Sequence, residues 1–142
     1  MTLAERITGA QARGAEIRPK VGGFPYLAES LRLAGVTHID VTVPSWTTVL
    51  TTAEGSVVQQ GTPMTTATTE VPSFDLDAFV AGLRADQAGH ITFPEWMEAT
   101  WRAGVVWYRV DLSARTCTYR SPAGDSYVEH YPAVDLSLAD AS

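Results

Sequence analysis

Asparagine is absent from the 142 residues, and lysine occurs once, at Lys20, against nine arginines. We read that skew as the mark of a GC-rich genome rather than as chemistry. The single cysteine, Cys117, excludes an intramolecular disulfide and a cysteine-rich zinc site. No apolar run approaches the roughly 18 residues of a membrane-spanning helix. The opening Met1-Thr2-Leu3-Ala4-Glu5-Arg6 has no basic stretch leading into an apolar one, so no signal peptide and no membrane partner are expected. The expectation is a soluble cytoplasmic protein. Basic residues are scarce: ten Lys and Arg face 16 Asp and Glu, a net charge of −6, which excludes a basic footprint for nucleic acid. Phosphate loops and the GxGxxG, GxSxG, HExxH and CxxC patterns are all missing, so no cofactor is expected.

What is present points to one domain over residues 1–142, since domains commonly run about 100–150 residues. Hydrophobic residues are 45% and charged residues 18%, a globular composition. The acidity is concentrated in the second half. Residues 1–69 carry five basic and five acidic groups, whereas residues 70–142 carry five and 11. That half is expected to be a solvated surface. Apolar spacing predicts a helix over 3–17 and another from Phe24 to Leu33, with Pro25 in its first turn and Gly35 as its stop. Strands are predicted over 36–43, 47–53 and 56–60, with Thr37, Ile39, Val41 and Val43 sharing one face of the first. The Thr-rich run from Thr62 to Thr69 reads as an edge strand or a loop. Ser73 or Asp75 caps a third helix whose stripe is Leu76, Phe79, Val80 and Leu83. Thr92-Phe93-Pro94-Glu95 is a capping-box pattern. Strands are expected again over 105–112, 116–121 and 126–131, and residues 135–142 are expected to fray.

The two halves, about 3–69 and 72–134, align without a gap at an offset of 69. Phe24-Pro25 matches Phe93-Pro94, Glu29 matches Glu98, and Ala34-Gly35-Val36 matches Ala103-Gly104-Val105. Val41, Thr47 and Gly55 match Val110, Thr116 and Gly124. The matches fall on a helix start, a helix stop and a hairpin turn. We therefore expect an α+β fold, built from a duplicated helix–helix–three-strand unit, with antiparallel strands and helices on one sheet face. A pseudo-twofold should relate the units, with Ile7 facing Leu76 in the alignment. Phe24, Leu27, Phe93 and Trp96 should point at the sheet.

Candidate site residues are few. His38 and Asp40 share a strand face and could supply two metal ligands, but no third is visible, so no metal is expected. In the alignment His38 corresponds to Trp107 and Asp40 to Arg109, with Asp111 two residues on. If the first strands of the two halves are neighbours, Asp40 and Arg109 come within ion-pair reach. The candidate ligand-binding set is thus His38, Asp40, Trp107, Arg109 and Asp111, on the face the helices leave open. The guanidinium fork could orient a carboxylate or amide. Cys117 shares a strand face with Tyr119 and reads as a buried, unreactive thiol. Trp46, after Pro44-Ser45, is hard to bury and is the best single candidate for a contact aromatic.

Phe24-Pro25-Tyr26, Leu33-Ala34-Gly35-Val36-Thr37 and Gln87-Ala88-Gly89-His90-Ile91-Thr92-Phe93 together resemble the YbcV-like family of uncharacterised bacterial and phage-associated proteins. So do Ala103-Gly104-Val105, Trp107, Val110-Asp111-Leu112, Thr116-Cys117-Thr118-Tyr119, Gly124 and Glu129. The resemblance runs from about residue 3 to residue 134. It implies an α+β fold and no established activity, cofactor or catalytic residue. Family members often have a His where this chain has Asp86. Three functions compete. The first is a non-catalytic binding or protein-interaction module, with a homodimer or another protein on the open sheet face, or a small molecule whose identity is open. The second is a small enzyme assembled from His38, Asp40, Arg109, Asp111 and Glu129. The third is a structural phage or envelope component.

Overall fold

Among the four helices described, each but one begins where a side chain can satisfy the free N–H groups of its first turn. Thr2 accepts from Glu5 N at the start of α1 (Leu3–Ile17), and Asp75, not Ser73, accepts from Ala78 N at the start of α3 (Leu76–Gln87). Thr92 and Glu95 form the expected capping box at α4 (Phe93–Arg102). Only α2 (Phe24–Leu33) lacks a side-chain cap, and Pro25 in its first turn removes one donor that would need one. The strands are β1 (Val36–Thr42), β2 (Thr47–Thr52), β3 (Gly55–Gln60), β4 (Trp107–Asp111), β5 (Thr116–Arg120) and β6 (Ser126–His130). These elements come from a computed structural model that describes residues 1–137. The Thr-rich run after β3 is a loop.

The strands form one antiparallel sheet in the order β3-β2-β1-β4-β5-β6. Each unit contributes a three-stranded meander, and β1 joins β4 at the middle. A pseudo-twofold passes through that junction. Asp40 pairs with Arg109 across it, and these two are equivalent at the 69-residue offset. Val43 N donates to Val106 O at 2.9 Å, and its symmetry mate, Leu112 N to Thr37 O, spans 3.0 Å. The left-handed backbone positions repeat as well: Gly35 with Gly104, Trp46 with Arg115, and Gly55 with Gly124. Duplication is therefore visible in backbone conformation, in hydrogen bonding and in strand order.

The core lies on one face, under the helices. Ile39, Val41 and Leu50 from the first unit meet Tyr108, Val110, Cys117 and Tyr119 from the second. Where the first unit has aliphatic residues, the second has aromatic ones. Phe79 packs 4.6 Å from Tyr119, and Trp96 packs 5.5 Å from Tyr108, centroid to centroid.

Several expectations need correcting. A β-bulge at the start of β1 sets Val36 inside and leaves Thr37 exposed, so the predicted alternation holds only from His38 on. Phe93 does not point at the sheet. It is 48% exposed and lies between Trp46 and Trp96. Leu76 is 45% exposed, so the alignment mate of the buried Ile7 is not itself buried, and Phe79, the mate of Ala10, fills the core instead. Leu76 is the first residue of α3, whereas Ile7 lies a full turn inside α1, so the inward face that the two helices share starts in α3 only at Phe79. Leu136 is buried rather than frayed, and the remainder of the predicted tail, 138–142, lies outside the described residues.

Candidate functional site

The helices cover one sheet face and leave the other open. On the open face the side chains fall into cross-strand rows set by register. The middle row runs Val58, Val49, Asp40, Arg109, Thr118, Val128. One flanking row holds Thr42, Trp107 and Arg120, and the other holds His38 and Asp111. All five residues singled out from the sequence therefore lie together at the centre of this face, around the pseudo-twofold.

Arg109 grips Asp40 with two hydrogen bonds, Nε to Oδ1 at 2.7 Å and Nη2 to Oδ2 at 3.2 Å. The bond to Asp40 raises the guanidinium pKa further above its ordinary value. Its fork is thus already filled by a carboxylate of the same chain, and the expected capture of a ligand carboxylate by Arg109 needs Asp40 to let go. Arg109 is about half exposed, so the pair contributes only about 0–1 kcal/mol to stability. His38 Nε2 lies 3.7 Å from Asp111 Oδ2. Asp111 has a second task. Its Oδ1 accepts from Ser113 N and Ala114 N and so closes the turn after β4.

Arg120 is the residue that sequence reading missed. Its guanidinium carbon lies 5.5 Å from the centre of the Trp107 ring, and that of Arg109 lies 6.0 Å from the same centre. Trp107 is thus flanked by two cations, within range of cation–π attraction. The parity of Thr116, Thr118 and Arg120 placed Arg120 on this face. Only the β4–β5 register placed it beside Trp107.

Other candidates lie elsewhere. Glu129 is on the helix-covered face, held by Arg84 at 2.7 Å and by the Tyr127 hydroxyl, so it cannot join the other four enzyme candidates. Burial pushes the Cys117 thiol up to about 12, which leaves essentially no thiolate at neutral pH. Trp46 is half-buried, its ring packed on Phe93 and Gly61 against the core, and its remaining surface lines a groove beside α4 away from the open face. Among the described residues no group of three or more His, Cys, Asp or Glu could hold a metal ion, and no helix is long and apolar enough to cross a membrane. Two grooves along α4 are lined by none of the five open-face residues.

Residues 16–129 match a family described as proteins of unknown function, DUF1398. The chain belongs to this family. Its relatives include an uncharacterized protein of Mycobacterium bovis and two uncharacterized proteins of Mycobacterium tuberculosis strains. Each is 47% identical over 138 residues, covering 95% of this chain and 84% of the relative. The matched residues include all five open-face residues and most of both units, with α1 largely outside them.

Proposed function

We propose that this DUF1398 protein is a non-catalytic interaction module of the cytoplasm that docks a partner on the open face of its sheet. The observation that carries the reading is Trp107, partly exposed on a flat six-stranded face and flanked by Arg109 and Arg120. Trp and Arg are the residue types that dominate binding energy at protein interfaces. The surrounding Thr42, Thr118, Val49 and Val58 add methyl groups and hydroxyls without strong charge around that centre. The site residues are Trp107, Arg109, Asp40, His38, Asp111 and, added from the geometry, Arg120. The narrower likeness to YbcV-like proteins belongs to the same proposal, and so does the treatment of residues 1–142 as one domain. Both grooves described above lie along α4 and not on this face, which favours a macromolecular partner over a small substrate here.

Native mass spectrometry of the protein purified from its own host tests this. The parent should carry a bound mass, and W107A, with its melting temperature preserved, should lose it. A parent observed only at its bare 15.3 kDa, or a W107A protein that keeps the bound mass, overturns the reading.

A further inference from the structure

We propose that the partner is a second copy of this chain, seated face to face about a twofold axis that runs parallel to the strands between β1 and β4. The proposal rests on the open face being the docking surface.

Charge placement carries it. Asp40 and Arg109 stand side by side on the middle row, and His38 stands beside Asp111 on the next. A twofold axis along the strands exchanges left and right across the β1–β4 junction and keeps each row in place. It lays Asp40 of one copy over Arg109 of the other, and His38 over Asp111. The same operation sets Trp107 over Thr42 and Val49 over Thr118. An axis across the strands would instead lay Asp40 over Asp40 and Arg109 over Arg109. Like charges so placed repel, so the axis along the strands is favoured over the axis across them.

Net charge agrees. The molecule carries −6, yet Asp40 and Asp111 on this face balance Arg109 and Arg120. Two copies can therefore approach through this face without the repulsion their acidic remainder imposes. Its extent sets the strength. At about 4.8 Å between strands and about 3.4 Å per residue, the face projects to roughly 500 Å². Two faces bury on the order of 1,000 Å², the low end for a specific pair, so the dimer is reversible rather than obligate.

The test uses the purified protein in sedimentation equilibrium, with V49K, T118D and the double variant V49K/T118D. Val49 and Thr118 lie on the open face with two strands, β1 and β4, between them within one chain, so the introduced charges meet each other only across the dimer. The parent should associate to twice its 15.3 kDa mass at micromolar concentrations, and less so in high salt. Each single variant should weaken association about tenfold or more, because it gives the two facing surfaces the same net charge. The double variant should recover most of the loss, because the new lysine faces the new aspartate. Unchanged melting curves show that the variants fold, and the parent's own concentration and salt series needs no variant at all. A parent that stays monomeric to millimolar concentration overturns the second copy. So does a dimer indifferent to both substitutions, or a double variant no better than the singles. A monomer that still yields a W107A-sensitive bound mass from its host would sink this inference and leave the docking face standing.

Discussion

At the scale of single residues, the repeated hairpin turn exposes a strain and two ways of bearing it. Trp46 and Arg115 occupy equivalent positions with φ of 51° and 57°, where a glycine or asparagine is usual and this chain has no asparagine to offer. The left-handed conformation costs a side-chain-bearing residue roughly 1–2 kcal/mol. Arg115 is exposed and gains little in return. Arg115→Gly should therefore raise stability by up to about 1 kcal/mol, part of the relief being lost to the entropy of an unfolded glycine. Trp46 packs on Phe93, and Gly61 lies so close that a Cβ there would come within 2.5 Å of the indole. Trp46→Gly should lose about 2 kcal/mol or more despite the same relief. Chemical denaturation of the two variants checks the contrast, and equal shifts for both would contradict it.

Among the elements, each first helix is tied to the outer strand of its own unit by a side-chain link, but the chemistry differs. Gln11 and Gln59 exchange two amide hydrogen bonds of 2.8 and 2.7 Å between α1 and β3. Arg84 and Glu129 make an ion pair between α3 and β6. Hydrogen bonding to Arg84 holds the Glu129 carboxyl below its ordinary 4.5. A carboxyl depressed in the folded state stabilises above its unfolded value and loses that contribution as pH falls through the folded one. The amide pair does not titrate. Arg6–Glu54, which also anchors α1, weakens in acid, yet the glutamines still hold that helix to β3. Between pH 7 and about pH 3, hydrogen exchange corrected for intrinsic rates should therefore accelerate more in α3 than in α1. Equal acceleration in both helices would show that the clasp does not govern helix docking.

For the whole molecule, the β1–β4 junction decides whether either unit can stand alone. The core of the two units is continuous: Ile39 and Val41 pair directly with Val110 and Tyr108 across that junction. A single unit would expose the β1 edge and one flank of its core, and three strands with two helices bury too little to offset that. A peptide of residues 1–69 should show no cooperative thermal transition, whereas the full chain melts in one step. A cooperative melt of the isolated half would mean that the junction is docking between independent domains rather than part of one core.

Local physics was enough for much of this. Capping residues, prolines and glycine stops marked the helices, because their effects act within a turn or two of the chain. Strand alternation from His38 onward put His38, Asp40, Trp107 and Arg109 on one face, because a strand's period of two needs no partner. The 69-residue repeat announced the duplication. What local physics could not reach is which strand lies beside which, and in what register. That choice is made by burial and ladder hydrogen bonds between segments far apart in sequence, and a slip of one residue would turn every side chain over. Only the β1–β4 register seated Arg109 on Asp40, and only the β4–β5 register brought Arg120 to Trp107. The exposure of Leu76 at the start of α3, and the outward position of Phe93 beside Trp46, are likewise packing outcomes. Both residues carry the right periodicity for a core, but the space under the helices was already filled by Phe79, Trp96 and the tyrosines of the second unit.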